Sequence, residues 1–157
     1  MLRTSLERRS FFVLPHRRVR MSARPRVLFV CIENACRSQM AAGFAGMHGA
    51  DRVEALSAGS KPAAAVNPRA IAFMAERGCD ISARIPEPLS AVAGEAFDAV
   101  ITMGCGDACP WLPARLREDW ALPDPKHLAD DAFRAIRDEI EQRVLALLAR
   151  LQAGANT

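Results

Sequence analysis

The chain has 157 residues and a mass of 17.1 kDa, with half of its residues hydrophobic and a quarter charged. A chain of this length and composition can bury one core without disulfides or metal ions, so we expect a single domain. No apolar run approaches the roughly eighteen residues that cross a bilayer, which excludes a transmembrane role and predicts no membrane partner.

The positive charge is concentrated at the start of the chain. The formal net charge is +3, but residues 1–26 hold eight Arg against one Glu, and the remainder has an acidic balance. We interpret residues 1–25 as a disordered basic extension and residues 26–157 as the folded domain. Because affinity for nucleic acid comes from many Lys and Arg contacts, the acidic domain predicts no nucleic-acid partner.

The cysteine pattern favours a reducing compartment. Five cysteines, at positions 31, 36, 79, 105 and 109, form an odd set that argues against an extracellular disulfide framework. We therefore expect a cytoplasmic protein. Cys105 and Cys109 are four residues apart, but the sequence lacks a second Cys pair or a His pair at ligand spacing, so we predict no metal site.

The first half of the chain alternates between strand and helix patterns. Val27–Val30 is a continuous apolar run typical of a strand buried on both faces. We expect Ser38 to cap a helix that extends to about His48, followed by a strand over Val53–Ser57. Asn67 and Pro68 then predict the start of a helix over Ala70–Arg77.

The second half continues the alternation. A third strand is expected over Ala99–Met103 and a short fourth strand near Trp120–Leu122. The final helix begins near Asp130 or Asp131 and carries one apolar face as far as Leu151. This order predicts an α/β fold, a four-stranded parallel sheet with helices on both faces, and a ligand at the carboxyl ends of the strands.

The loop after the first strand has the composition of an anion site. It reads CIENACRS from Cys31 to Ser38 and leads directly into a helix. Such a loop can direct backbone N–H groups inward, and a helix N-terminus adds partial positive charge. We therefore expect residues Ile32, Glu33, Asn34, Ala35, Cys36, Arg37 and Ser38 to bind a tetrahedral oxyanion, with Arg37 pairing two of its oxygens.

Cys31 is the candidate nucleophile, because the same positive field favours its thiolate form. The Ser38 hydroxyl can donate a hydrogen bond to that thiolate, and Asn34 can hold the loop through backbone contacts. Cys36 is interpreted as a small filler, and we expect the Glu33 carboxylate to point to solvent, away from a bound anion.

Two further segments are candidates for the chemistry. Asp124 lies between two prolines, either as a rigidly held proton donor or as an ordinary turn residue. Cys105 and Cys109, near flanking glycines, would have Cα atoms about 6 Å apart on one helical turn, inside the range of a disulfide. They resemble a resolving thiol pair more than core cysteines.

Several motifs, in order, carry a family resemblance. They are VLFVCIENACRSQM over Val27–Met40, Ser57–Gly59, Asn67-Pro68, Ile101–Met103, Cys109-Pro110, Leu122–Pro125 and the Phe133–Ile140 helix. Together these motifs, spanning about Arg26 to Leu151, resemble the arsenate reductases built on the low-molecular-weight tyrosine phosphatase fold. The resemblance implies that residues 26–157 form one catalytic domain of that fold.

The resemblance also implies roles. Cys31 attacks arsenate, Arg37 stabilises the oxyanion, Asp124 protonates the departing hydroxide, and Cys105 and Cys109 release arsenite and resolve the disulfide. Phosphate and sulfate would compete as oxyanions. No cofactor is bound, and an external thiol supplies electrons: thioredoxin, or a small thiol of the mycothiol, bacillithiol or glutathione type. A monomer is expected, and Ala42 stands where some members hold potassium through an acidic residue, so no such site is predicted.

Two alternative functions remain open from the sequence. One is a phosphatase of the same fold acting on phosphotyrosine or small phosphate esters, although Lys126 follows Asp124-Pro125 where such phosphatases usually place an aromatic residue. The other is a non-catalytic anion-sensing or protein-binding module, in which Cys31 would be protonated and unreactive.

Overall fold

The computed structural model of the protein describes residues 24–106 and 109–155. Residues 1–23 of the predicted basic extension lie outside the described residues. In the described part of the chain, no helix is both long and apolar enough to cross a membrane.

Four parallel strands form one sheet. They are β1 (Arg26–Cys31), β2 (Glu54–Gly59), β3 (Phe97–Thr102) and β4 (Ala114–Asp119), in the order β2-β1-β3-β4. The predicted four-stranded parallel sheet is confirmed, and β1 lies inside it with a partner on each side. Cys31, the last residue of β1, pairs with Gly59 of β2 at the carboxyl edge of the sheet, and the residue before it, Val30, pairs with β3 as well.

The predicted position of the fourth strand is wrong. It was expected near Trp120–Leu122, but β4 ends at Asp119. Because β4 pairs only with β3, it is an edge strand, and its residues alternate between half-buried and exposed. Charged side chains such as Arg115 and Arg117 occupy the exposed positions, so the strand lacks the apolar run that marks the inner strands.

Three α-helices cover one face of the sheet. They are α1 (Arg37–Gly49), α2 (Pro68–Ala75) and α3 (Asp130–Ala155), and their apolar residues share one core with Val27 and Phe29 of β1. A second cluster, on the other side of β1, contains Leu28 and Val30 and is covered by the short 3-10 helix Leu89–Val92 and by loops. Both faces are covered, but the sequence predicts helices on both, whereas the α-helices lie on one face and only the short 3-10 helix lies on the other.

Asn67 begins α2 as the sequence predicts. Its side chain accepts a hydrogen bond from the backbone N–H of Arg69 at 2.9 Å, and Pro68 is the first helical residue. The preceding segment, residues 60–67, returns from β2 along the anion loop, so that the start of α2 also supports the site described next.

Candidate active site

The anion loop, residues 32–36, joins β1 to α1 and turns its carbonyl groups away from its centre. Three of its carbonyl oxygens accept hydrogen bonds of 2.8–2.9 Å from the neighbouring segment: Ile32 from Lys61 N, Glu33 from Ala63 N and Ala35 from Asn67 N. The loop's peptide bonds are trans, so each N–H points opposite to the preceding carbonyl. The N–H groups of Glu33, Asn34 and Cys36 therefore face the centre of the loop.

Gly59 permits this close packing of loop against sheet. A Cβ at Gly59 would lie 2.6 Å from the Ile32 carbonyl oxygen and 2.9 Å from the Asn34 backbone nitrogen. Both of these atoms belong to backbone, which cannot swing away as a side chain can. Glycine at the end of β2 is therefore a requirement for the shape of the anion loop.

The Cys31 sulfur lies at the base of the loop and accepts hydrogen bonds from it. The Asn34 backbone N–H points to the sulfur at 3.2 Å, and the Ser38 hydroxyl oxygen is 2.9 Å away. Cys31 is 3% exposed and is a free thiol. The sulfur therefore lies between two polar groups of the site and is shielded from solvent.

The direction of the Ser38 contact follows from Asn34. The backbone N–H of Glu87, which can only donate, bonds to Asn34 Oδ1 at 2.9 Å, so the amide oxygen of Asn34 faces Glu87. Asn34 Nδ2 then donates to Ser38 Oγ at 2.6 Å, and the hydroxyl hydrogen of Ser38 is left to donate to Cys31. The predicted Ser38–Cys31 hydrogen bond is confirmed by this geometry.

The prediction that Ser38 caps α1 is wrong. The helix begins at Arg37 after Cys36 as the N-cap residue, and no side chain caps it. Ser38 lies in the first turn, where its hydroxyl turns to the Cys31 sulfur instead. Among the residues that the structure describes, no side chain caps the N-terminal N–H groups of α1, which suits the binding of an anion at this end of the helix.

Arg37 links the anion loop to two other loops. Its Nη1 donates to the carbonyl oxygens of Met103, after β3, and Leu122, two residues before Asp124. The edge formed by Nε and Nη2 has no hydrogen-bond acceptor among the described residues. Because the side chain is only 7% exposed and held at Nη1, that edge is oriented in advance to pair with two oxygens of one anion.

Asp124 lies beside this guanidinium. Its Oδ2 is 3.9 Å from Arg37 Nη2, and its Oδ1 accepts a hydrogen bond from the Lys126 backbone N–H at 3.0 Å. That second contact makes Asp124 the N-cap of the 3-10 helix Pro125–His127. The carboxyl group is 44% exposed, so it can exchange protons with water while facing the anion loop.

Glu33 is only half-exposed and does not simply point to solvent, which corrects the sequence-based expectation. Both of its carboxylate oxygens accept hydrogen bonds from Lys126 Nζ, at 3.0 and 3.2 Å. These bonds raise the pKa of Lys126, which stays charged at neutral pH. The pair offsets a carboxylate that would otherwise repel an anion at this loop.

The remaining cysteines divide into one bonded pair and two buried thiols. Cys105 and Cys109 form a disulfide with a Cα–Cα distance of 5.9 Å, close to the expected 6 Å; Cys105 is buried and Cys109 half-buried. Burial, with nearby Asp124 as a smaller cause, raises the pKa of Cys36 to about 12, and burial raises the pKa of Cys79. Cys36 therefore stays protonated, consistent with a filler.

The geometry brings together Cys31, Asn34, Arg37, Ser38 and Asp124. In the described residues, no three His, Cys, Asp or Glu side chains gather so as to hold a metal ion. The predicted catalytic roles of these residues, and of Cys105 and Cys109, are chemical assignments that remain predictions.

A family model for low molecular weight phosphotyrosine protein phosphatases matches residues 26–156. The chain belongs to the low molecular weight phosphotyrosine protein phosphatase family. The match covers most of the chain, and it confirms the fold implied by the sequence resemblance.

Within this family, several of the similar proteins are arsenate reductases. A curated relative, the glutaredoxin arsenate reductase of Synechocystis sp., is 40% identical over 129 residues, covering 80% of this chain and 98% of that one. A solved structure titled as an arsenate reductase in the phosphate binding state is 39% identical with a TM-score of 0.76, covering 81% of this chain and 98% of that chain. The structure of a thioredoxin-dependent arsenate reductase of Corynebacterium glutamicum is 38% identical with a TM-score of 0.72. The match covers 85% of this chain and 65% of that chain.

Three members of the site are not predicted from the sequence. Gln39 and Arg84 extend the hydrogen-bond path that starts at Cys31, and Glu87 fixes Asn34 through its backbone N–H. The last two lie in an irregular segment before β3, 45 and 53 residues from their partners in sequence. A single sequence carries no signal for such contacts. Gln39 follows Ser38 directly, but helical periodicity alone does not distinguish it from a surface residue.

Proposed function

We propose that the chain is an arsenate reductase that converts arsenate to arsenite with Cys31 as nucleophile and electrons from an external thiol. The observation that carries this proposal is the combination of a free Cys31 in an inward-facing anion loop with a separate Cys105–Cys109 disulfide. Hydrolysis of a phosphate ester uses one nucleophilic thiol and gives no role to such a pair. The named relatives support the same choice over a phosphatase.

The first step uses the anion loop. The Cys31 thiolate attacks arsenic and forms a sulfur–arsenic bond, while one arsenic–oxygen bond breaks and Asp124 gives its proton to the departing hydroxide, releasing water. The inward N–H groups and the free edge of Arg37 stabilise the charge on the remaining oxygens. Arsenic stays in the +5 state, so no electron has yet been transferred.

Reduction follows when a second thiolate attacks the Cys31 sulfur. One thiol of the Cys105 and Cys109 pair forms a disulfide with Cys31, and the electron pair of the sulfur–arsenic bond passes to arsenic, which leaves as arsenite. The other thiol of the pair attacks this disulfide, which frees Cys31 and leaves the Cys105–Cys109 bond. A free Cys31 together with a Cys105–Cys109 disulfide is the bonding pattern expected at the end of one turnover.

A thiol donor then restores the enzyme. Cys109 is half-buried whereas Cys105 is buried, so we propose that the donor thiolate attacks the sulfur of Cys109 and that a second donor thiol completes the reduction. Thioredoxin, glutaredoxin and the small thiols mycothiol, bacillithiol and glutathione are the donor candidates. Phosphate and sulfate compete with arsenate at the anion loop, and a reducing cytoplasm is the compartment that fits.

Steady-state arsenate reduction with each donor tests this function. Cys31→Ser is expected to abolish all activity, whereas Cys105→Ser and Cys109→Ser should stop repeated arsenate turnover yet keep slow hydrolysis of p-nitrophenyl phosphate. Normal turnover by both of the latter variants with thioredoxin would refute the relay. Rapid hydrolysis of aryl phosphate without arsenate reduction under any donor would favour the phosphatase instead.

A further inference from the structure

Arg84 lies at the outer end of a hydrogen-bond path that ends on the Cys31 sulfur. Arg84 Nε donates to Gln39 Oε1 at 2.7 Å, and Gln39 Nε2 donates to Asn34 Oδ1 at 2.9 Å. From Asn34 the path continues through the Ser38 hydroxyl to Cys31. Asn34, Ser38 and Gln39 are fully buried, so water does not compete with any of the inner bonds.

Each bond on this path points toward the sulfur. A guanidinium can only donate, so the oxygen of the Gln39 amide faces Arg84 and its Nε2 faces Asn34. The same Nε2 lies 3.2 Å from the carbonyl oxygen of Ile85, which accepts its second hydrogen. Reversing any amide on the path would place two donors or two acceptors face to face, so the path has one orientation.

The Arg84 charge is half-buried and has no carboxylate within ion-pair distance among the described residues. Its Nη2 also lies 3.4 Å from the neutral Ser57 hydroxyl oxygen, which is a long contact. Burial lowers the pKa of Arg84, and the nearby Cys79 thiol acts in the opposite direction. Glu87 and Glu95 line the same open cavity of about 500 Å³ as Arg84, but neither pairs with it.

Such a cation costs desolvation energy unless an anion nearby offsets it. The group that gains negative charge at the end of the path is the Cys31 sulfur. Arg37 also faces the sulfur's loop with positive charge, whereas Asp124 and Glu33 bring negative charge, and the latter is paired with Lys126. Arg84 is therefore a second cation linked to the site, at the far end of the hydrogen-bond path from the sulfur.

We propose that Arg84 is a positioning residue whose charge, transmitted along this path, keeps the Cys31 sulfur in its thiolate form. Hydrogen bonds polarise one another in a dry interior, so a cation at the first donor strengthens every donor that follows. The inference deepens the proposed function, because it rests on Cys31 being the nucleophile. It assigns no contact between Arg84 and the substrate.

The pH dependence of Cys31 alkylation by iodoacetamide tests this inference. Peptide mass spectrometry of residues 27–37 follows the rate, with fragment ions separating Cys31 from Cys36. Arg84→Lys keeps charge and donor, Arg84→Gln keeps a neutral donor, and Arg84→Met removes both. Arg26→Gln is the matched control, because it neutralises another half-buried Arg at the opposite end of β1.

We expect the midpoint of the alkylation profile to rise by about half a pH unit to one unit in Arg84→Gln, as for loss of one charge in a partly screened site. Arg84→Met should show the same rise or more, whereas Arg84→Lys and Arg26→Gln should stay near the wild type. A wild-type midpoint in a folded Arg84→Gln variant, checked by circular dichroism, would overturn the inference.

The assay separates this inference from the proposed function. Alkylation needs no arsenate and no thiol donor, so the Arg84 series can be measured even if the protein reduces no arsenate. If arsenate reduction fails and the midpoint still shifts with the Arg84 charge, the positioning role stands and the proposed substrate is wrong. If arsenate reduction succeeds and the midpoint does not move, Arg84 serves only to hold the fold.

Discussion

Replacing Asn34 by alanine tests how far one buried amide holds the anion loop. Asn34 is fully buried, has φ of +49°, and accepts two hydrogen bonds, from the Glu87 backbone N–H and from Gln39 Nε2. Alanine leaves both donors unsatisfied at about 1–3 kcal/mol each, and a left-handed alanine adds about 1 kcal/mol. We expect the free energy of unfolding to fall by about 3–7 kcal/mol.

A second variant separates the two causes. Asn34→Gly loses the same hydrogen bonds but accepts a positive φ without strain, so it should be more stable than Asn34→Ala by about 1 kcal/mol. Asn67→Ala is the matched control, because Asn67 is only half-buried and its side chain accepts a hydrogen bond from the Arg69 backbone N–H at the start of α2, worth about 1 kcal/mol.

Urea unfolding followed by circular dichroism gives these free energies, and arsenate turnover gives the effect on the site. Both Asn34 variants should also lose most arsenate turnover. Without the hydrogen bond from Asn34 Nδ2, the Ser38 hydroxyl is free to rotate away from Cys31. A fall of less than 1 kcal/mol in Asn34→Ala, or equal stability of the alanine and glycine variants, would refute the argument from the loop geometry.

Three further predictions concern the edges of the site. Gly59→Ala should abolish most arsenate turnover while leaving the fold intact by circular dichroism, because its Cβ meets loop backbone; normal turnover contradicts this. Lys126→Ala should raise the KM for arsenate several-fold by leaving Glu33 unpaired, and adding Glu33→Gln should restore it, which a double-mutant cycle checks. Because the pKa of Cys36 is raised to about 12, iodoacetamide at pH 8 should label Cys31 and leave Cys36 unmodified in the folded protein.

The raised pKa of Cys36 also has a consequence for stability. The folded state holds the thiol proton to a higher pH than the unfolded state, whose value is about 9, so its contribution is complete below pH 9 and is lost as the pH rises to 12. Unfolding free energy should fall by up to about 1.4 kcal/mol per pH unit in this window. Cys36→Ala should flatten that slope, and an unchanged slope would show that Cys36 does not contribute.

The sequence could predict the elements whose signal is local. The apolar run of β1 and the Asn67-Pro68 start of α2 depend on neighbouring residues, and both lie where expected. β4 was misplaced because an edge strand with alternating charges lacks a continuous apolar run. Ser38 was misassigned because a serine near a helix start suits a cap, and only the fold brings the Cys31 sulfur within its reach.

The sequence predicts the anion loop, but it does not predict the long-range hydrogen bonds and ion pairs that hold it. The order of Cys31, Arg37 and a following helix predicts an anion site by local geometry alone, and Asp124 is marked by its flanking prolines. By contrast, the Glu33–Lys126 pair joins residues 93 positions apart, and the Arg84–Gln39 bond joins residues 45 apart. Such contacts depend on the complete topology, so no single segment signals them.

The placement of the nucleophile at the end of an interior strand ties reactivity to global unfolding. Amide hydrogens of β1 are hydrogen-bonded between β2 and β3 beneath two apolar layers, so they should exchange with solvent deuterium only when the whole domain opens. Activity should therefore be lost on heating over the same temperature range as the fold. No intermediate is expected in which the domain is folded but the Cys31 sulfur is displaced.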